Sequence, residues 1–332
     1  MSHQLTNFPN GLSSFGVPVL SHIPFGKNSK VFFVDPANGS NSNSGLDPAH
    51  PLDTVSNAHG RCVAGRNDVV MLIGDGSTTG TSREDAAVTW SKNSTHLVGV
   101  GSPVKGWNRA RLAPTSSTTA FANFITVSAS GCIFANVAMF HGFATGTTAM
   151  ICLTVTGDRN YFYRCHIAGA GDAESANSTT SASLKLNDAD ENLFEECTIG
   201  INTQSRTAAM SEVIITGECQ RNKFIRCDFE TFAGTAGVLF INAATAASDI
   251  DRYALFEECN FINPIESTAT TMTAAISTHA ALSGMIILKQ CMLIGATYWV
   301  GADTAKVKIL AQNQAAGTTT QTAGIAASAD LA

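Results

Sequence analysis

Charge is what this chain has least of. Of its 332 residues only 20 are Lys or Arg and 26 are Asp or Glu, so charged residues make up 14%, against about 25% in a typical soluble domain. The net charge of −6 excludes the strongly basic footprint of a nucleic-acid binder. No uncharged apolar run reaches the roughly 18 residues of a membrane-spanning helix. The opening, MSHQLTNFPNG, lacks the basic and apolar regions of a secretory signal. The nine cysteines are odd in number and show no CxxC or zinc-knuckle spacing. They therefore read as free, buried thiols in a reducing compartment, and the chain as a protein made in a cytosol. Apolar residues at 44% exclude bulk disorder, and the length allows one large core or two ordinary ones.

What is present is a repeat. Five segments align: NYFYRCHI from Asn160, NLFEECTI from Asn192, NKFIRCDF from Asn222, ALFEECNF from Ala254 and IILKQCML from Ile286. Their cysteines, Cys165, Cys197, Cys227, Cys259 and Cys291, are spaced by 32, 30, 32 and 32 residues. A weaker copy, CIFANVAM from Cys132, places Val137 where the cysteine belongs. Helical repeats do not fit, because the units are rich in Thr, Ser, Asn, Gly, Val, Ile and Phe and lack a 3.6-residue apolar period. Each unit instead holds short strands, such as Ile151–Thr156, Leu184–Leu186, Val213–Thr216 and Val238–Ile241, separated by polar turns. Short strands, turns and a fixed period predict an all-β fold, a single-stranded parallel β-helix, right-handed because parallel crossovers almost always are.

Equivalent residues of such a coil stack about 4.8 Å apart. Phe162, Phe194, Phe224 and Phe256 would form an inward aromatic stack ending on Leu288, and the five cysteines a second inward column. Asn160, Asn192 and Asn222 would form a ladder of side chains bonded to one another. Arg164, Glu196, Arg226, Glu258 and Gln290 precede the cysteines, so opposite charges would meet on successive rungs.

Ahead of the repeats, VFFVDP (31–36) reads as a strand, followed by the loop ANGSNSNSGLDPAHP, a short amphipathic helix over Leu52–Val63 and a strand at Asp68–Ile73. This order resembles the N-terminal cap of parallel β-helix proteins of the pectate-lyase-like superfamily, and a cap is needed to cover the first open edge. Val98–Gly101 and Phe124–Val127 read as the first full coils. The expected organisation is an extended arm (1–30), a cap (31–75), about eight coils of about 30 residues (76–310), a rod of about 40 Å, and a small-residue tail (311–332).

The arm, with TNFPNGLSSFGVPVL, and the cap segment VFFVDPANGS are similar to β-helix proteins encoded beside capsid genes in tailed bacteriophages. The resemblance implies a non-enzymatic structural protein, a homotrimeric capsid cement or decoration protein. It would sit at capsid three-folds on the virion exterior, touch the major capsid protein through the arm and be assembled in the host bacterial cytoplasm. It implies no nucleic-acid or membrane partner and no cofactor. The runner-up is a tail spike or fibre that binds, or binds and cleaves, host surface polysaccharide; a cellular polysaccharide enzyme is a third reading.

Enzymes of the polygalacturonase type resemble one another in an NTD, DD, GHG and RxK set; the nearest match here is Asn202-Thr203-Gln204. Asp158 and Asp190 share a repeat position and would lie about 5 Å apart, the spacing of a retaining glycosidase pair. Both also read as ordinary turn residues, and the next rungs carry Gln220 and Arg252. Asp35, Asn38, Asn41, Asn43 and Asp47 could wrap a calcium ion or simply shape an Asn/Gly loop. His141, His166 and His279 read as surface or rung-edge residues. Gly99, Gly101 and Gly106 form no phosphate loop, Lys306-Val307-Lys308 is too short for a basic patch, and Trp90, Trp107 and Trp299 fall outside the regular repeats. The expectation is therefore no catalytic, cofactor or metal residues.

Overall fold

A computed structural model describes residues 28–102, 104–115, 121–142, 149–264, 269–301 and 303–310, together with an antiparallel pair, Ser13–Ser14 with Val17–Pro18, in the arm. Among these residues no helix is long and apolar enough to cross a membrane. The 311–332 tail and most of the 1–30 arm lie outside the described residues.

The chain winds as a parallel β-solenoid of three sheets. The first sheet has ten strands, from Val31–Val34 to Val307–Leu310. The second runs in eight strands from Thr81–Glu84 to Met292–Ile294, and the third in eight from Val88–Trp90 to Ala296–Val300. Coiling starts earlier than the cysteine column suggests. Val31–Val34 and Asp68–Ile73 pair in parallel with each other, and Asp68–Ile73 with Thr95–Val100, so the strands of the cap are themselves rungs of the first sheet. Trp90 and Trp299, expected outside the repeats, are rungs of the third sheet.

The columns assemble as the repeat requires. The rings of Phe134, Phe162, Phe194, Phe224 and Phe256 stack at 4.8, 4.5, 4.7 and 4.6 Å with nearly parallel planes, and Phe256 pairs in register with Leu288. A second stack, Phe229 on Phe261 at 4.6 Å, fills the same core. All nine cysteines are free. Each thiol of the column donates to the carbonyl of the phenylalanine one coil back, from Cys165 to Phe134 (3.3 Å) through Cys291 to Phe256 (3.3 Å).

The residue before each cysteine carries a constraint hidden in the repeat. Asn136, Arg164, Glu196, Arg226, Glu258 and Gln290 all have φ between 50° and 56°. That left-handed conformation costs a non-glycine residue about 1–2 kcal/mol, and here it turns the chain from the first sheet into the second. Each corner N–H then bonds the next coil, as Arg164 does to the Glu195 carbonyl (3.0 Å) and Glu196 to that of Ile225 (2.9 Å). A second left-handed corner, at Arg159, Glu191 and Arg221, precedes each ladder asparagine.

The asparagine ladder differs from the expected one. Asn192 Oδ1 accepts the Asn160 backbone N–H and Asn222 Oδ1 that of Asn192, both at 2.9 Å. The amide nitrogens donate to the carbonyls of Ala129, Gly157 and Ala189. Side chain meets side chain only between Asn192 and Asn222 (3.2 Å). The amides therefore close backbone groups at a corner, where the strand ladder cannot reach them. The charge ladder forms in part: Arg164–Glu196 (2.6 Å) and Glu196–Arg226 (3.4 Å) stack as expected. Arg226 then reaches sideways to Glu195, and a parallel ladder joins Arg159, Glu191 and Arg221.

The cap helix spans Val55–Arg61, shorter than the sequence suggested, and buries Val55 and Ala58 over the end of the core. Charges from the first coil hold both its ends. The buried Glu84 carboxylate accepts the Val55 N–H (3.1 Å), and Lys92 Nζ donates to the carbonyls of His59, Gly60 and Cys62. Both choices match the helix dipole.

Two substitutions test this packing. Phe224→Ala, in the middle of the stack, is expected to lower stability by about 3–5 kcal/mol in urea unfolding. Asn192→Ala, which strands buried backbone groups, should lower it by about 1–3 kcal/mol; a loss near zero for either would mean that the stack or the ladder does not bear on folding.

Candidate functional site

The carboxylates that looked most like a catalytic pair are tied into the coil. Asp158 Oδ1 accepts the backbone N–H of Asp190 (3.0 Å), and Asp190 Oδ1 accepts that of Gln220 (3.0 Å). Asp190 Oδ2 takes the Gln220 amide as well (2.7 Å). The two residues share a column, as expected, and each bonds the coil that follows. Arg252 turns out of this column to pair with its neighbour Asp251 (3.2 Å).

The Asn-rich loop behaves likewise. Asp35 accepts the N–H groups of Ala37 and Asn38, Asn41 Oδ1 those of Asp53 and Thr54, and Asp47 that of Ala49, while Asn43 donates to the Pro51 carbonyl. Among the described residues no group of three or more His, Cys, Asp or Glu is placed to hold a metal ion. Lys306 lies in a short 3-10 turn and Val307-Lys308 begin the last rung, paired with Ile286-Ile287.

The histidines depart from expectation. His279 is half-buried and accepts the Ala281 N–H, but His141 and His166 are buried. His141 packs its ring on Phe124 (5.6 Å), and among the described residues neither ring nitrogen has a hydrogen-bond partner. His166 is enclosed because the segment 104–110 lies over the outer face of the second sheet. Lys105 there pairs with Asp228 (3.1 Å), Gly106 lies against Thr198, Trp107 N–H donates to His166 Nδ1 (3.0 Å), and Asn108 Nδ2 donates to Asn136 Oδ1 (2.7 Å). Asn136, His166, Thr198 and Asp228 belong to successive coils, so this strap runs along the rod and clamps four of them. His166 Nε2–H donates to the Gly200 carbonyl (2.9 Å), which leaves Nδ1 unprotonated to receive Trp107.

Beside the strap lies a cleft of about 210 Å³. Its floor is the alanine-rich outer face of the second sheet, and its walls are the 76–78 turn and Trp107. Arg83, Arg111 and Phe140 project into it. Burial lowers the pKa of both arginines, and each has a further guanidinium nearby that acts in the same direction, Arg111 for Arg83 and Arg109 for Arg111. Sequence reading missed this site. Arg83, Arg111 and His166 stand on nearby strands of the second sheet, but Trp107 lies in no repeat, and the strap that carries it to His166 leaves no periodic trace.

No protein-family model and no curated protein matches the chain. Solved structures do. Pectate lyase Pel9A superposes with a TM-score of 0.58 at 13% identity over 90% of this chain and 80% of the lyase. Pectin methylesterase PemA from Erwinia chrysanthemi gives 0.54 at 14% identity, over 91% of this chain and 94% of its own. ORF18 of Geobacillus virus E2 gives 0.49 at 15% identity, over 81% and 54%. The first two show a shared fold, the pectate-lyase-like parallel β-helix.

The buried imidazoles predict a pH dependence. Burial pushes His59, His96, His141 and His166 from the ordinary 6.5 down to about 4. Between those values the unfolded chain takes up protons that the folded one refuses. Stability is therefore complete above about pH 6.5 and falls towards pH 4, by up to about 1.4 kcal/mol per pH unit for each imidazole. His166→Gln should be less stable at neutral pH and show a shallower decline on acidification. Urea midpoints measured across that window check both, and an unchanged slope would show that His166 does not contribute.

Proposed function

We propose that this chain is a non-enzymatic structural component of a tailed-phage virion: a homotrimeric decoration protein on the capsid exterior that stabilises the head by bridging capsid subunits. The observation that carries the reading is the commitment of its chemistry-bearing side chains. Asp158, Asp190, the ladder asparagines and the column thiols each bond the neighbouring coil. Three continuous hydrogen-bonded sheets, a phenylalanine stack and a strap across four coils make a rod that resists opening, which suits a clamp under internal pressure.

The low charge supports the same reading, since uncharged lateral faces rich in Thr, Ser and Ala can pack three rods side by side. The likeness of the TNFPNG arm and the VFFVDPANGS segment to phage β-helix proteins supports contact with the major capsid protein through the arm.

Quantitative mass spectrometry of purified virions, counting copies of this chain against the major capsid protein, tests the proposal. A trimer at every local three-fold gives a ratio of about one. A ratio of a few per cent would move the chain to the tail and favour the spike or fibre reading, and absence from the virion would overturn both. Deleting residues 2–28 should leave a folded trimer that no longer attaches to capsids; attachment at the full level would show that the arm is not the contact.

A further inference from the structure

We infer that copies of this chain pack side by side through the outer face of the first sheet, each against the same face of its neighbours. The inference rests on the homotrimeric reading and assigns it a face, an orientation and a charge register. It does not depend on where in a virion the chain resides.

Composition is the first support. Side chains alternate inward and outward along each strand. One outward column of the first sheet holds Ile133, Tyr161, Leu193, Lys223, Leu255 and Ile287. The column beside it holds Val98, Ala135, Tyr163, Glu195, Ile225 and Glu257. All but Lys223 are half-buried. Towards the two ends of the same face, Val100, Met285 and Leu310 are 41%, 37% and 55% exposed. The other sheets differ. The third sheet's outer column reads Thr126, Thr154, Lys185, Ile214, Asn242 and Ser277, and the second is polar and crossed by the strap. Burying hydroxyls and amides gains little, whereas burying Leu, Ile and Tyr drives association.

Shape is the second support. The stripe runs from Met71 to Leu310, about 40 Å along the rod and about 13 Å across the strands, hence roughly 500 Å². An apolar area of that size marks a contact surface, and parallel sheets are ordinarily covered on both faces. The geometry of the stripe selects the partner. Its side chains project in straight ridges one strand spacing apart over the whole height of the rod. A surface with the same pitch and the same length is a second copy of this chain, laid alongside.

The charges fit the same partner. Lys223 is exposed and makes no ion pair among the described residues, unlike Lys105 and Lys289. Copies related by rotation about an axis along the rod hold equivalent rungs at equal height, and one outward column of each face meets the other column of the next. Lys223 then lies level with the neighbouring copy's Ile225, with that copy's Glu195 and Glu257 one rung to either side, about 4.8 Å away along the rod. A lysine side chain spans that step. Glu257 engages Lys289 through Oε1, which leaves Oε2 for the neighbour's Lys223. The charges on an otherwise apolar stripe are thus complementary to the stripe itself, and they set its register.

Sedimentation equilibrium of the full chain over a range of concentrations, joined to carbodiimide cross-linking, tests the assignment. The chain should sediment as a trimer. In a mixture of isotope-labelled and unlabelled chains, the cross-link should join Lys223 of one chain to Glu257 or Glu195 of another. Leu255→Arg should raise the concentration at which the trimer dissociates by about tenfold or more, with the circular dichroism of the parent. Lys223→Glu, which changes an exposed side chain and sets like charges together, should act in the same direction, so the test does not hang on the folding of one variant. Ser277→Arg, on the third sheet, should leave the trimer unchanged. A dimer broken by Leu255→Arg would keep the face and remove the three-fold. A trimer that survives both Leu255→Arg and Lys223→Glu would overturn the face and leave the homotrimer standing; a monomer at every concentration would overturn both.

Discussion

The structure depends on one constraint: every coil must turn its corners at the same place as the coils on either side. Parallel strands in register leave no slack, because a coil that turned one residue late would move its whole side-chain set to the wrong face. The left-handed residues before each cysteine enforce this. Their strain is offset by a backbone bond from each corner N–H to the next coil, so no corner is favourable alone. The thiol that follows must be small, apolar and able to donate weakly, because it sits against the carbonyl of the stacked phenylalanine one coil back. The phenylalanine column, the thiol column and the asparagine ladder all follow from the same corners.

The same constraint accounts for where the charges are. Side chains at left-handed corners stack on their equivalents, so like charges there would repel at every step. Alternation removes the conflict, as in Arg164–Glu196–Arg226 and Arg159–Glu191–Arg221. These pairs are partly exposed, and each contributes only about 0–1 kcal/mol. Their value lies in register, since a slipped coil would bring Arg beside Arg. The pair that is buried, Arg206 with Glu212, does different work: Glu212 also accepts the hydroxyls of Ser183 and Thr231, and Arg206 donates to the Gly169 carbonyl, so a loop is fastened across several coils.

What the chain reveals before folding follows from this periodicity. The solenoid, the phenylalanine stack, the thiol column and the Asp158–Asp190 column were legible because each recurs once per coil, and recurrence is visible in a linear text. The backbone conformation of the corners was not, because Arg, Glu and Gln at positive φ violate the usual preference for Gly or Asn and resemble a surface charge pattern. The asparagine column is visible as a ladder, but its partners are not, since the unsatisfied groups of a corner are backbone groups and only the folded corner shows which they are. For His141 and His166 the sequence points to the surface or a rung edge, because their burial is imposed by other segments of the chain: Phe124 for one, the Trp107 strap for the other.

That last failure is instructive about sites in solenoids. A perfectly repeated column presents the same side chain at every rung, and a surface of that kind can be sticky but cannot be selective for one small molecule. Selectivity needs a place where the repeat is broken. The outer column of the second sheet here reads Thr81, Arg111, Ala138, His166, Thr198, Asp228, Asn260 and Met292, with no two adjacent members alike. Next to it, the strap breaks the repeat a second time by crossing four coils along the rod axis. The cleft lies where the two irregularities meet. Regularity therefore builds the rod, and the positions that escape it are those at which one coil can be told from the next.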